Sequence, residues 1–346
     1  MKVILSLFLS FFLFISCGSI QKAPQPEASK SSGTYDYVIA FGSCNRQDEA
    51  QPLWDAIIEE TPDLFLWGGD NIYADTDDMA QLEADYHTQK NQPDYKKLLV
   101  TTPVMGTWDD HDYGNNDAGE EWEYKNESQQ LFLDFFDVPK DDDRRKREGV
   151  YHSRTIEEAG KSLKIIVLDT RYFRTKLEPG TQPGQRYKIN DKGTVLGAEQ
   201  WKWLENELSN SKSDYNLILS SIQVLSAEHG FETWGNFPSE VERLEKLLGN
   251  SGAKNVIILS GDRHISEFSE KDVDGLDYKL VDFTSSGMTH SYAGFSGEPN
   301  KYRVGEVVSD LSFGILKFDF ETGKVRMEMR GPGNILQQEY TVHYRD

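Results

Sequence analysis

Short runs of aliphatic, aromatic and β-branched residues punctuate this chain, and each stops at a cluster of polar residues. Tyr35–Phe41 ends at Gly42-Ser43-Cys44-Asn45, Leu64–Trp67 at Gly68-Gly69-Asp70, and Pro103–Trp108 at Asp109-Asp110-His111-Asp112. Further along, Leu163–Leu168 runs into Asp169-Thr170-Arg171, and Leu217–Leu219 into Ser220-Ser221-Ile222-Gln223. Val256–Leu259 then runs into Ser260-Gly261-Asp262-Arg263-His264. Such runs read as strands. Between them, Pro52–Glu60, Ala198–Leu208 and Ser239–Leu248 have the spacing of amphipathic helices. The alternation predicts an α/β fold whose sheets are covered by helices. In open α/β sheets ligands gather beyond the carboxyl ends of the strands, and every polar cluster stands at such an end. From about Asp277 strands follow without helices (Tyr278–Phe283, Phe313–Phe320, Val325–Met329), and they are expected to complete a second sheet.

Composition narrows the function. With 346 residues, a net charge of −21 and 12% aromatic residues, the chain is long and apolar enough to fold. It lacks the basic excess that a nucleic-acid surface requires. An acidic chain still acts on phosphate where bound cations reverse the local field. At the start, Lys2 precedes an apolar or small stretch, Val3–Ser16, too short for a membrane span and suited to an export signal. Phe14-Ile15-Ser16-Cys17 resembles a lipobox, with Phe14 in place of the usual leucine, so Cys17 is the expected lipidated residue. Gln21–Thr34, rich in Pro, Ser, Ala and Lys, reads as a flexible tether. The expected organisation is a signal peptide over 1–16, lipidated cysteine and tether over 17–34, and one domain over 35–346. The protein is then exported and lipid-anchored, facing the periplasm or the cell exterior. Lipidation of Cys17 would leave Cys44 without a disulfide partner, either inert and buried or bound to a metal.

Three clusters carry candidate chemistry. Asp70, after two glycines at a strand end, is placed to bridge two metal ions. Packing Asp109, Asp110 and Asp112 around His111 costs mutual repulsion, which calls for a cation nearby. Asp110 is the expected ligand, and His111 beside it is the expected proton donor to a leaving oxygen. Asp262 and His264 alternate, and in an extended segment both would point the same way.

Taken in order, several of these segments resemble the alkaline phosphatase D family. They are Phe41-Gly42-Ser43-Cys44-Asn45, Gly69-Asp70-Asn71-Ile72-Tyr73-Ala74-Asp75, Trp108–Asp112, Leu168–Tyr172, Gly197–Leu204, Ser260–His264 and Phe283–Gly287. The resemblance covers residue 36 to the end. It implies a calcineurin-like metallophosphoesterase, a four-layer α/β/β/α sandwich with two mixed sheets. It further implies metal ligation by Cys44, Asp70, Tyr73, Asp110, Asp262 and His264, with Fe3+ and Ca2+ as the ions. A thiolate and a phenolate suit ferric iron, and a carboxylate-rich site suits calcium. The implied activity is hydrolysis of a small phosphomonoester or phosphodiester by a monomer that meets the membrane only through its anchor. Alternatives are a phospholipase D-like or cell-wall-polymer phosphodiesterase, and a metal-dependent binding lipoprotein without catalysis. Where the superfamily's fourth motif places a histidine, this chain has Ser221-Ile222-Gln223. Asn115, Asn116 and Asp117 are the nearby substitutes. Full-sized members also carry an N-terminal domain that this sequence does not show. Asn71, Asn116 and Trp234 are expected to contact substrate, though Trp234 equally fits plain packing. Arg171 is either a phosphate clamp or a structural ion pair. His229 and His290 are candidates for the rim of the site, with an ordinary loop histidine the better reading of each.

Overall fold

Alternation of side chains along the strands builds this molecule in layers, as the computed structural model of residues 35–182 and 185–344 shows. The expected export signal, Cys17 and the tether lie outside the described residues. In chain order the strands are β1 (Tyr37–Gly42), β2 (Leu64–Gly68), β3 (Val104–Thr107), β4 (His152–Glu158), β5 (Lys161–Val167), β6 (Tyr215–Leu219) and β7 (Val256–Ser260). They continue as β8 (Ser266–Lys271), β9 (Leu280–Ser285), β10 (Arg303–Val308), β11 (Phe313–Asp319), β12 (Lys324–Gly331) and β13 (Ile335–His343). One sheet has six strands in the order β13-β12-β11-β1-β2-β3, and the other seven in the order β10-β8-β9-β7-β6-β5-β4. β1, β2 and β3 run parallel, as do β5, β6, β7 and β9. Antiparallel strands complete each sheet, so both are mixed.

The period-two pattern divides each strand between two cores. Ile39, Phe41, Leu64 and Leu66 face Ile165, Leu217, Leu219 and Leu259 of the other sheet in a shared apolar layer. On the outer face of the six-stranded sheet, Ala40, Phe65 and Trp67 pack against the helices α1 (Trp54–Glu59), α2 (Met79–Lys90) and α3 (Pro93–Thr101). The short α4 (Asp110–Tyr113) and α5 (Lys125–Phe135) join that layer. On the opposite side Ile166, Ile218 and Ile258 pack against α6 (Gly197–Ser209) and α7 (Pro238–Ser251). The result is the expected four-layer α/β/β/α sandwich. Among the described residues no helix is long and apolar enough to cross a membrane.

One expectation fails. Of the three late strands expected there, only β9 enters the second sheet, where β10 joins it through β8. β11 pairs antiparallel with β1, and β12 and β13 extend the first sheet from it. That pairing joins segments far apart in the chain, and an apolar run carries no mark of the partner it will find.

Candidate metal centre

Parallel strands within each sheet deliver their carboxyl ends to one edge, and the facing sheets bring those edges together. Cys44 follows β1, Asp70 follows β2, Asp109 and Asp110 follow β3, and Asp262 follows β7. Gly69, at φ +99°, makes the close approach possible, because a Cβ there would lie 2.6 Å from Asp109 Cβ. Cys44, Asp70, Asp262 and His264 themselves hold positive φ (59°, 48°, 70° and 55°). The left-handed region costs an L side chain roughly 1–2 kcal/mol, and strain of this kind collects at functional sites. Asp262 and His264 therefore do not alternate along an extended segment as expected. Consecutive turns send them to different parts of the site.

Buried and half-buried donors form four overlapping groups, with ligand atoms in each within 4.8 Å of one another: Cys44–Asp70–His264, Asp70–Asp110–His111, Asp109–Asp110–Asp262 and Asp110–Asp117–Glu232. Asp70 is shared by the first two and Asp110 by the last three. Cys44 Sγ lies 3.3 Å from Asp70 Oδ2. The Tyr73 hydroxyl donates to Asp70 Oδ2 at 3.1 Å and stands 2.9 Å from His264 Nε2. Burial holds His264 down to about 3, with His290 and His111 adding to the effect, so its ring is a neutral donor. Burial pushes the Cys44 thiol up to about 12, despite hydrogen bonds from Ser286 and Tyr73, so it ionises only against a bound cation. The six expected ligands thus come together around Asp70 and Asp110.

The donor chemistry fits cations. Six carboxylates (Asp70, Asp109, Asp110, Asp117, Asp262 and Glu232) converge here. Burial, with mutual repulsion, holds Asp70 and Asp262 well above the usual carboxylate range. Asp109 Oδ2 is buried without a hydrogen-bond partner, while its Oδ1 accepts from Ser221 Oγ at 2.7 Å and from Arg171 Nε. An unpartnered carboxylate oxygen inside such a group is one that a bound cation would satisfy.

Several roles require revision. Arg171 is fully buried, with Nε on Asp109 and Nη1 on Glu232 Oε2 at 2.7 Å, while Arg174 Nε meets Glu232 Oε1 at 2.9 Å. Of the two roles left open for Arg171, the ion pair is the one observed. Trp234 is also fully buried. Its indole N–H donates to Ser220 Oγ at 3.1 Å and its ring meets Trp201, so it walls no pocket. Asn71 is buried too, donating through Nδ2 to Asp112 Oδ2 (2.6 Å) and to Thr107 O (3.0 Å), which makes it scaffolding for the loop. Asn116 is exposed on the rim and donates to Asp117. Of the three substitutes near Asp110, Asp117 offers a carboxylate oxygen to a group with Asp110 and Glu232. Ser221 reaches the site through Asp109, whereas Gln223 donates to Glu267 and Thr284.

Asp75 and Glu232 are additions, and His290, a rim candidate, stands at the site. Both Asp75 carboxylate oxygens lie 2.8 Å from His111 Nδ1. His290 Nε2 stands 3.2 Å from His264 Nε2. Asp75 lies inside the Gly69–Asp75 segment already singled out. Nothing local marks Glu232 or His290, which reach the site from loops.

Electrostatics sets a stability test. Without cations, burial raises Glu232 to about 7, against the pull of Arg171 and Arg174. Burial alone would lower His111, but Asp70, Asp110 and Asp75 raise it to about 10. Above pH 7 the folded chain therefore keeps protons that the unfolded chain has released, so its stability falls as pH rises. His152, His229, His264 and His290 are depressed by burial and are neutral in both states there, contributing no slope. The melting temperature of chelator-treated protein is expected to fall by about 5 °C between pH 7 and pH 9, and added calcium should flatten that dependence. A chelated protein that gains stability with pH would contradict the charge arrangement.

The sequence model of the PhoD-like phosphatase family matches residues 39–304. Alkaline phosphatase D of Bacillus subtilis (strain 168) is 26% identical over 303 residues, covering 74% of this chain and 50% of that protein. The chain thus spans half the length of that relative. The solved structure of PhoD superimposes with a TM-score of 0.70 at 19% identity, covering 90% of this chain and 70% of the other. A dimetal phosphatase from Danio rerio gives a TM-score of 0.52 at 14% identity, covering 90% of this chain and all of that one (100%). Both structures support the sandwich fold. With the family's model running from β1 to β10 across that sandwich, this chain belongs to the PhoD-like phosphatase family.

Proposed function

We propose that this chain is an exported, metal-dependent phosphoester hydrolase acting on a small phosphomonoester or phosphodiester. The observation that carries the reading is the sharing of the buried Asp70 and Asp110 among four overlapping donor groups. The two ends of the array differ in character. Cys44, Tyr73 and His264 surround Asp70 at one end, a set suited to ferric iron, and apart from His111 the donors grouped with Asp110 are carboxylates, a set suited to calcium. Bound there, such ions would neutralise phosphoryl oxygens and acidify a water.

The chain's own residues complete the chemistry. Asp75 holds His111 Nδ1 with both oxygens, which fixes that nitrogen as the protonated one against the carboxylate and leaves the other to give a proton to a leaving oxygen. The ring is stacked on Tyr73 at 4.1 Å between centroids. The His111 backbone N–H donates to Asp70 Oδ1 and Asp110 Oδ1, tying the ring's position to the two shared carboxylates. Asp75→Asn is expected to lower kcat by about ten- to a hundredfold with metal content unchanged. Loss of metal in that variant would make Asp75 part of the ligand array instead.

Turnover of p-nitrophenyl phosphate against its bis ester, with and without chelator, tests the function. Chelator-sensitive hydrolysis of either supports it and sets monoester against diester preference, whereas no hydrolysis by metal-loaded protein leaves a binding lipoprotein. Export through the segment before Tyr35, with Cys17 acylated, rests on the basic start, the short apolar run and the lipobox-like Phe14–Cys17. Fatty-acid labelling that survives Cys17→Ala would refute it.

A further inference from the structure

Beside the carboxylate end of the array lies a hollow of about 360 Å3 lined by Gln185, Arg186, His229, Gly230 and Phe231. Its walls are tied to the centre in three ways. Phe231 directly precedes Glu232, and its backbone N–H donates to His229 Nδ1 at 3.1 Å, fixing the turn that presents the ring. Arg186 lies 2.8 Å from Asp117 Oδ2 through Nη2, reaching from the hollow to the Asp110–Asp117–Glu232 group. Arg263, between Asp262 and His264, places its guanidinium 4.2 Å from the centre of the Phe231 ring, and Arg186 places its own at 5.7 Å.

We propose that this hollow is the leaving-group subsite and that it takes a planar aromatic group, such as a nucleoside base, stacked on Phe231 beside Arg186. The inference rests on the hydrolase reading above. It follows from what the hollow offers and what it lacks. Phe231 is half-buried, which leaves ring surface open to a ligand. Both guanidiniums already have a carboxylate beside them, Arg186 with Asp117 and Arg263 with Glu298 at 2.6 Å. A phosphate or carboxylate on the leaving group would meet positive charge that Asp117 and Glu298 already offset, while a planar ring needs none of that charge. Base–aromatic stacking of this kind is tolerant of ring identity and changes affinity by about one to two orders of magnitude. An aliphatic alcohol gains nothing comparable. The expected pocket wall, Trp234, is buried three residues along the chain, and Phe231 is the aromatic residue that lines the hollow.

Ligand-observed NMR with adenosine and with ribose on the metal-loaded protein tests the subsite without relying on turnover. Adenosine is expected to bind and ribose not to. Phe231→Leu, which keeps an apolar side chain, should weaken adenosine binding about tenfold, and Phe231→Tyr, which keeps the ring, should retain it. In turnover, wild type should favour adenosine 5′-monophosphate over ribose 5-phosphate by about tenfold in kcat/KM. These two esters share a primary alkoxide leaving group, and the ratio should collapse in Phe231→Leu only. Failure of adenosine to bind, or equal binding by Phe231→Leu and wild type, overturns the subsite even if the protein hydrolyses phosphoesters. Ring-dependent adenosine binding in a protein that hydrolyses no phosphoester would keep the ring site and remove the hydrolase reading.

Discussion

Asp70→Ala is expected to abolish phosphoester hydrolysis and to release the bound cations together, with turnover down by at least about a thousandfold. A bridging carboxylate is needed by both ions at once, and metal activation accounts for several kcal/mol of barrier, each 1.36 kcal/mol being tenfold in rate. No neighbour replaces it. Asp70 is the residue common to the Cys44–His264 and Asp110–His111 groups, and its two oxygens already face different partners, Oδ2 towards Cys44 and Tyr73 and Oδ1 towards the His111 N–H. Its backbone lies in the left-handed region, which asparagine tolerates better than most residues. Asp70→Asn therefore keeps the turn while removing the charge, and it should reproduce the loss. Elemental analysis beside the turnover assay decides the matter: full metal content in either variant would show that Asp70 is not the bridge.

Arg171→Leu is expected to destabilise the fold by about 3–5 kcal/mol, the usual cost of removing one member of a buried ion pair. Two buried carboxylates depend on this guanidinium, Asp109 through Nε and Glu232 through Nη1, and neither side chain is reached by solvent. Arg174 remains beside Glu232, but among the described ion pairs Asp109 has no second cationic partner. Arg171→Lys should recover only part of the loss, since an ammonium is a single point of charge and does not fork between two acids. Added calcium should recover more, by neutralising Asp109 from the side of its unpartnered oxygen. Denaturant unfolding measures the change. A variant of wild-type stability that had lost only turnover would return Arg171 to the role of phosphate clamp.

These expectations show where the sequence was readable. Strand ends were legible because the apolar runs at β1, β2, β3 and β7 stop at the clusters holding Cys44, Asp70, Asp110 and Asp262, and a parallel sheet gathers its carboxyl ends at one edge. The placement of β11 was not, since its antiparallel pairing with β1 is decided by the assembled sheet. The same limit explains Arg171 and Trp234. A guanidinium at a strand end fits a substrate or a buried acid equally well until Asp109 and Glu232 are seen on it. An indole in a polar loop looks exposed until Trp201 and Ser220 enclose it. For Asp262 and His264, alternation along the chain suggested a common direction, but backbone turns at positive φ override side-chain parity. Asp75 was within reach of reasoning, because a histidine that works as an acid needs a partner on its other nitrogen and Asp75 sits in the same segment as Asp70.

The central claim is that two cations sit on either side of Asp70. Anomalous diffraction from crystals of the metal-loaded protein, collected around the iron edge and at long wavelength for calcium, tests it most directly. The account predicts two peaks flanking the Asp70 carboxylate, one against Cys44 and His264 and one against Asp110. A single peak, or cations bound away from Asp70, would contradict it.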